Sequence, residues 1–281
     1  MKIVRSISET RTLIKTMKGK TGTLGFVPTM GSLHDGHMSL VRKSIEENDA
    51  SIVSIFVNPT QFNEKQDFEL YPRNLNEDLK VLGQHPVDLV FVPSSDEIYP
   101  EPDTREFDFE GLESVMEGKH RPGHFKGVAQ IVSKLLEIVQ PDVAYFGKKD
   151  FQQLAIIRKL VEIIDLPVRI SGCPIIRESD GLAMSSRNKL LLPEERSSAA
   201  RIFEGLFKAG EEAGKTTVEE LINSTIQFLH QDPRLKVEYF EIVDASNLKP
   251  VQKWTDNGRK IGCIAVQIGN VRLIDNMEFS S

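Results

Sequence analysis

The stretch GFVPTMGSLHDGHMSLVRKS, Gly25 to Ser44, passes from an apolar run through a short turn into a segment whose apolar residues recur at helical spacing. A short apolar run closed by Gly or Pro reads as a buried parallel strand. Met38, Val41 and Ile45 fall on one face of a helix that follows at once. A strand feeding a helix in this way is the repeating unit of a doubly wound sheet.

The same unit recurs through the first two thirds of the chain. Strand-like runs span Thr23 to Pro28, Ser51 to Val57, Asp88 to Val92 and Val143 to Phe146. Between and after them, helical patterns cover His37 to Asn48, Gly127 to Val139 and Asp150 to Ile164, the last stopping at Asp165-Leu166-Pro167. Residues 1–176 are therefore expected to form an α/β, Rossmann-like doubly wound parallel sheet. Beyond that the texture changes. Pro193 opens an Ala-rich helix ending near Gly214, a second helix runs from Thr217 to Leu229, and Ile264, Val266 and Ile268 alternate before a Gly269-Asn270 hairpin signal. Residues 177–281 are expected to form a smaller α+β domain with antiparallel strands, joined to the first through the polar stretch Arg177 to Asn188.

Composition narrows the function classes. The 281 residues are enough for a real core without covalent staples. Lys and Arg total 35 against 41 Asp and Glu, a net charge of −6 that argues against a large nucleic-acid footprint. Cys173 and Cys263 have no CxxC near them, so neither a disulfide framework nor a thiolate zinc site is read. The N-terminal stretch is broken by charge every few residues, unlike a signal peptide or a membrane span. A cytoplasmic protein is the expectation.

Ligands of open parallel sheets bind outside the carboxyl ends of the strands, and Thr29 to Asp35 leaves such an end. A helix start offers unpaired amides and a positive dipole end to an anion. His34 and His37, three apart, point the same way and can donate to phosphate oxygens, while Gly31 and Gly36 let the backbone approach closely. Alone, the two histidines would read equally well as satisfied polar residues of a loop. Zinc is a weaker reading, because a third ligand is needed and none of the six histidines forms a matching pair.

Other strand ends carry complementary chemistry. Gly147, Lys148, Lys149 and Asp150 follow one strand, and Asn58-Pro59-Thr60-Gln61 follows another. Met184, Ser185, Ser186 and Arg187 lie in a polar, mobile-looking loop that could clamp phosphate. Singly, these are a solvated lysine pair, an Asn-Pro turn and a surface loop. Together they converge on one kind of ligand.

The segments PTMGSLHDGH, FVNPTQF, YPR, RPGHFKGV, FGKKDFQQL and DGLAMSSRN, between Pro28 and Asn188, resemble the pantothenate synthetase family, the pantoate–β-alanine ligases of the cytidylyltransferase-like superfamily. His34-Asp35-Gly36-His37 carries the HxGH-type element, and the likeness extends more weakly into the tail. The resemblance implies ATP-dependent condensation of (R)-pantoate with β-alanine to pantothenate, AMP and pyrophosphate, through a pantoyl adenylate. It implies ATP contacts from Met30, Gly31, Ser32, Leu33, His34, Asp35, Gly36 and His37, completed by Gly147, Lys148, Lys149, Asp150, Ile176, Met184, Ser185, Ser186 and Arg187. His37 is the expected principal catalytic residue, with His34 and Lys149. Gln61, Gln153 and Asn58 are expected to hold the small substrates. Mg2+ would bridge the phosphates with Asp78 as an indirect ligand, the C-terminal domain would close over the site, and a homodimer is implied. Rival readings are an aminoacyl-tRNA synthetase relative, opposed by net acidity and the lack of a basic anticodon-reading domain, and a nucleotide sensor, opposed by the amides that suggest further substrate pockets.

Overall fold

Helix Asp35–Glu47 lies against the strand before it because position 25 has no side chain: a Cβ on Gly25 would collide with the Ser44 hydroxyl and the Asn48 amide. The computed structural model describes residues 1–19 and 22–280. By contacts the chain forms two compact units, one of Met1–Glu113, Gly118–Lys148 and Gln153–Pro174, the other of Ser114–Glu117, Lys149–Gln152 and Ile175–Ser281. The sequence reading divides the chain at 176. Here the main division falls after Pro174, and two short segments from within the first stretch belong to the second unit.

The first unit holds β1 (Lys2–Val4), β2 (Leu24–Thr29), β3 (Ala50–Ile55), β4 (Leu89–Phe91), β5 (Val143–Gly147) and β6 (Arg169–Cys173). All pair in parallel, in the order β1-β4-β3-β2-β5-β6. The chain winds outward from β2 through β3 to β4, then returns to place β5 on the other side of β2. The order therefore reverses between β2 and β5, where a doubly wound sheet opens its ligand crevice. The edge strands β1 and β6 are absent from the sequence reading. Only Val4 is buried in β1, and β6 mixes exposed, half-buried and buried positions, so neither presents the apolar run of a central strand.

Phe26, Ile52, Leu89, Phe91, Leu136 and Leu160 anchor the main core of this unit, each buried side chain contributing about 1.5–3 kcal/mol. The expected helices appear as Asp35–Glu47, His124–Val139 and Phe151–Ile163.

In the second unit, β7 (Leu235–Asp244), β8 (Lys260–Ile268) and β9 (Val271–Phe279) form an antiparallel sheet with β8 in the middle. Helices Pro193–Glu212 and Val218–His230 share a core with it through Leu206, Leu229, Phe240 and Ile264. The hairpin signal is realised with Gly269 at φ +53°, joining Ile268 to Val271 across the turn. Among the described residues, no helix is long and apolar enough to cross a membrane.

Candidate active site

At the carboxyl end of β2 the chain turns within a few residues into a helix, and its own groups shape the turn. Thr29 Oγ1 donates to Ser54 O at 2.8 Å and accepts from Gly31 N at 3.2 Å. Gly31 lies at φ +77°, and Ser32 at φ +50°, a left-handed conformation that non-glycine residues seldom adopt. Asp78 holds this backbone in place, one carboxylate oxygen accepting from Ser32 N at 2.9 Å and the other from Leu33 N at 2.7 Å. A Cβ on Gly31 would sit 2.8 Å from Asp78 Oδ2, so the brace also requires glycine there.

His34 is the N-cap of helix Asp35–Glu47, its Nδ1 accepting from Gly36 N at 3.2 Å. That acceptor role puts the proton of a neutral ring on Nε2, which is thereby a donor. The His34 and His37 ring centroids lie 4.0 Å apart, so the two imidazoles do share one face of the helix start. A cavity of about 320 Å³ opens beside this loop, with Met30, Gly31, Phe56, Arg73, Asp78 and Ser94 among its lining.

Asp78 serves this backbone with its whole carboxylate. Both of its oxygens serve backbone amides, and the carboxylate is 3% exposed. Among the described residues no group of three His, Cys, Asp or Glu could hold a metal ion. Asp78 is the loop's brace.

Past the end of β3, Asn58 precedes and Gln61 ends a single 3₁₀ turn, Pro59–Gln61. Asn58 is 1% exposed and its amide is used internally: Nδ2 donates to Gln61 Oε1 at 3.2 Å and to Gly127 O at 3.1 Å, while Oδ1 accepts from Thr60 and Tyr99. Through these contacts Asn58 orients Gln61. Burial raises the Tyr99 hydroxyl above its usual range, which keeps it a donor to Asn58. Gln61 Nε2 donates to Met30 Sδ at 3.1 Å, tying the β3 exit to the β2 exit.

The RPGHFKGV segment completes this wall. His124 Nδ1 meets Gln61 O at 2.8 Å, and a Cβ on Gly127 would strike the backbone of Thr60 and Gln61. Neither residue is a site residue in the sequence reading. The signal was the motif itself, but only the fold shows that it lies under Gln61.

At the end of β5, Gly147 pairs with Cys173 and Lys148 N donates to Cys173 O at 2.8 Å. Gln153 is half-buried on helix Phe151–Ile163 in the first unit. Lys149 and Asp150 belong to the second unit, with Lys149 Nζ 3.8 Å from Asp150 Oδ1. The remaining candidates, Ile176 and Met184 to Arg187, also lie in the second unit.

The stretch expected as a mobile clamp is built as a braced hairpin. Arg177 pairs with Ala183, Met184 N donates to Ile176 O at 2.9 Å, and Asn188 Nδ2 donates to Glu178 Oε1 at 2.7 Å. Arg196 grips Glu178 and Asp180, each at 2.6 Å. Ser185 caps the turn Ser186–Leu190 by accepting from Arg187 N at 3.3 Å, and Ser186 is buried.

A parallel sheet whose strand order reverses, with paired imidazoles at a helix start beside the switch point, defines a nucleotide-binding α/β protein of the HxGH type. The profile of the pantoate-beta-alanine ligase family matches residues 2–278, and the chain belongs to that family. It is 50% identical over 279 residues to the pantothenate synthetase of Bacteroides thetaiotaomicron, covering 99% of each chain. The crystal structure of pantothenate synthetase from Thermus thermophilus superposes with a TM-score of 0.93 at 40% identity, covering 100% of both chains. Pantoate-beta-alanine ligase from Francisella tularensis, complexed with beta-gamma ATP and beta-alanine, gives a TM-score of 0.82 at 37% identity over 99% of this chain and 97% of the other.

Proposed function

We propose that this chain condenses (R)-pantoate with β-alanine, using ATP and releasing AMP and pyrophosphate. The pairing of His34 and His37 at the helix start beside the β2/β5 reversal is the observation that carries the reading. A carboxylate does not acylate an amine at neutral pH without a better leaving group. The pantoate carboxylate attacks the α-phosphorus of ATP and expels pyrophosphate, and the amine of β-alanine then attacks the acyl carbon and expels AMP.

His37 carries the main burden in the first step, donating to charge that builds on the phosphates. His34 assists through Nε2–H, because capping Gly36 occupies Nδ1. Lys149 adds a cation and the hydroxyls and guanidinium of Ser185 to Arg187 hold phosphate oxygens, while Met30 to Gly36, Gly147 to Asp150 and Ile176 frame the nucleotide. Gln61 and Gln153 hold pantoate, since amides supply donors and acceptors without adding charge. Magnesium enters as the ATP complex. A homodimer and a cytoplasmic location belong to the same proposal, the first checked by light scattering on the purified protein.

The decisive experiment is substrate omission, with pyrophosphate and AMP measured separately. ATP and pantoate alone should release pyrophosphate in an amount matching the enzyme, and AMP release should await β-alanine. Pyrophosphate appearing only when β-alanine is present would overturn the order of steps.

A further inference from the structure

Strand β9 reaches three parts of the second unit through a few side chains. Asn276, 7% exposed, donates through Nδ2 to the backbone carbonyl of Lys149 at 2.8 Å. Lys149 stands just before helix Phe151–Ile163, so its carbonyl lies outside the helix's own hydrogen-bond ladder and depends on a partner of this kind.

The main chain at the same position faces the hairpin. Asn276 N donates to Asp275 Oδ1 at 2.7 Å, and Asn276 O accepts from Arg177 Nη2 at 3.3 Å. Arg177 is bidentate on Asp275, at 2.6 and 3.0 Å, and also donates to Gly181 O at 3.0 Å inside the turn. One residue therefore ties Lys149 to the base of the hairpin that carries Met184 to Arg187.

The far end of the Lys149–Gln152 segment is held from the same strand. Arg272 lies four residues before Asn276, on the same face of β9 and about 13 Å away along the strand. It is bidentate on Glu117, with both contacts at 2.7 Å, and Tyr239 donates to Glu117 at 2.7 Å. Burial first, then the Glu117 charge, pushes the Tyr239 hydroxyl well above its usual range, so it remains a donor. Glu117 N in turn donates to Gln152 Oε1 at 2.9 Å, and Gln152 Nε2 to Val115 O at 2.8 Å. The path from Asn276 through Lys149 to Gln152, Glu117 and Arg272 closes on β9.

We propose that Asn276 is a positioning residue for Lys149, acting through the Lys149 carbonyl, and that β9 sets the spacing between Lys149 and the phosphate-facing hairpin. This rests on the reading that Lys149 acts on the ATP phosphates. A displaced lysine would still carry its charge but would no longer meet the phosphate oxygens at the right distance, and misplacement of a catalytic group is costly even when binding is intact.

The test is a double-mutant cycle on pyrophosphate release, with Asn276→Leu, Lys149→Ala and the pair. Asn276→Leu keeps the side chain's shape and removes the donor. It should lower the adenylation rate constant about tenfold while leaving the KM for pantoate within about twofold. In the Lys149→Ala background the same substitution should change the rate less than about twofold. Equal losses in both backgrounds would overturn the proposal. Lys149→Ala at full rate would instead overturn the role of Lys149 itself, and the two failures are told apart by that single mutant. Asn276→Asp, which offers only acceptors when ionised, repeats the cycle if the leucine variant does not fold.

Discussion

The two strand ends that flank the reversal in the sheet reach their geometry by opposite means. At the β2 exit most of the shaping contacts are local: His34 caps Gly36 two residues away, Thr29 holds Gly31, and one distant carboxylate braces the rest. Past the β5 exit, the Lys149 carbonyl is held by a residue 127 positions further on. A motif whose parts support each other folds into its working shape wherever a strand delivers it. A backbone carbonyl held from far away takes its place only when that other part of the chain is in place.

The first way to break this comparison is at the self-supporting end. His37→Ala should lose about a hundredfold to a thousandfold in adenylation, the scale for removing one preorganised donor to developing charge. Its denaturation midpoint should hardly move. A loss of tenfold or less would shift the burden to His34 or Lys149 and remove the ground for treating the two ends as unequal partners.

The contrast also explains what could be read from sequence. The doubly wound class, the HxGH element and the Gly269-Asn270 hairpin were legible because each is written in adjacent residues with a period or a turn chemistry of its own. The edge strands β1 and β6 were not, since edge positions carry mixed polarity. The internal contacts of Asn58 and Asp78 were not legible for another reason. A buried Asn or Asp near a site has the same letter whether it faces a ligand or a backbone amide, and only the fold shows that Asn58 spends its amide on Gln61 and Gly127. Asn276, Arg272 and Glu117 left no signal at all, because the ties that matter, Asn276 to Lys149 and Arg272 to Glu117, each span more than a hundred residues.

Asp78 ties the local end to a residue more than forty positions away, and so it measures how self-supporting that end is. Asp78→Ala would leave Ser32 N and Leu33 N buried without their acceptor and release Ser32 from φ +50°. Each orphaned amide costs about 1–3 kcal/mol, so the variant should be less stable and about tenfold to a hundredfold slower in adenylation. Stability falling with an unchanged rate would mean that the loop keeps its shape from local contacts alone.

The smallest effect is a titration, and it separates ionic ties from neutral ones. Asp103 lies in the first unit, where its oxygens accept from Arg105 N and the Arg105 guanidinium, with Lys134 3.4 Å away, and its backbone carbonyl accepts from Gln130. The hydrogen bond from Arg105 is the main cause that lowers this carboxyl to about 2. A depressed acid contributes stability that is complete above its unfolded value, near 3.8, and is lost as pH falls through its folded value. The difference in denaturation midpoint between the parent chain and Asp103→Asn should therefore be small but steady above pH 4, and close as pH falls from about 4 to about 2. The same subtraction for Asn276→Leu should stay flat across that window, because an amide does not titrate. A difference for Asp103→Asn that ignored pH would show that the aspartate holds its neighbours by shape rather than charge. A difference for Asn276→Leu that followed pH would tie the β9 frame to the nearby Asp275 carboxyl, which burial, opposed by Arg177, holds above the usual aspartate range.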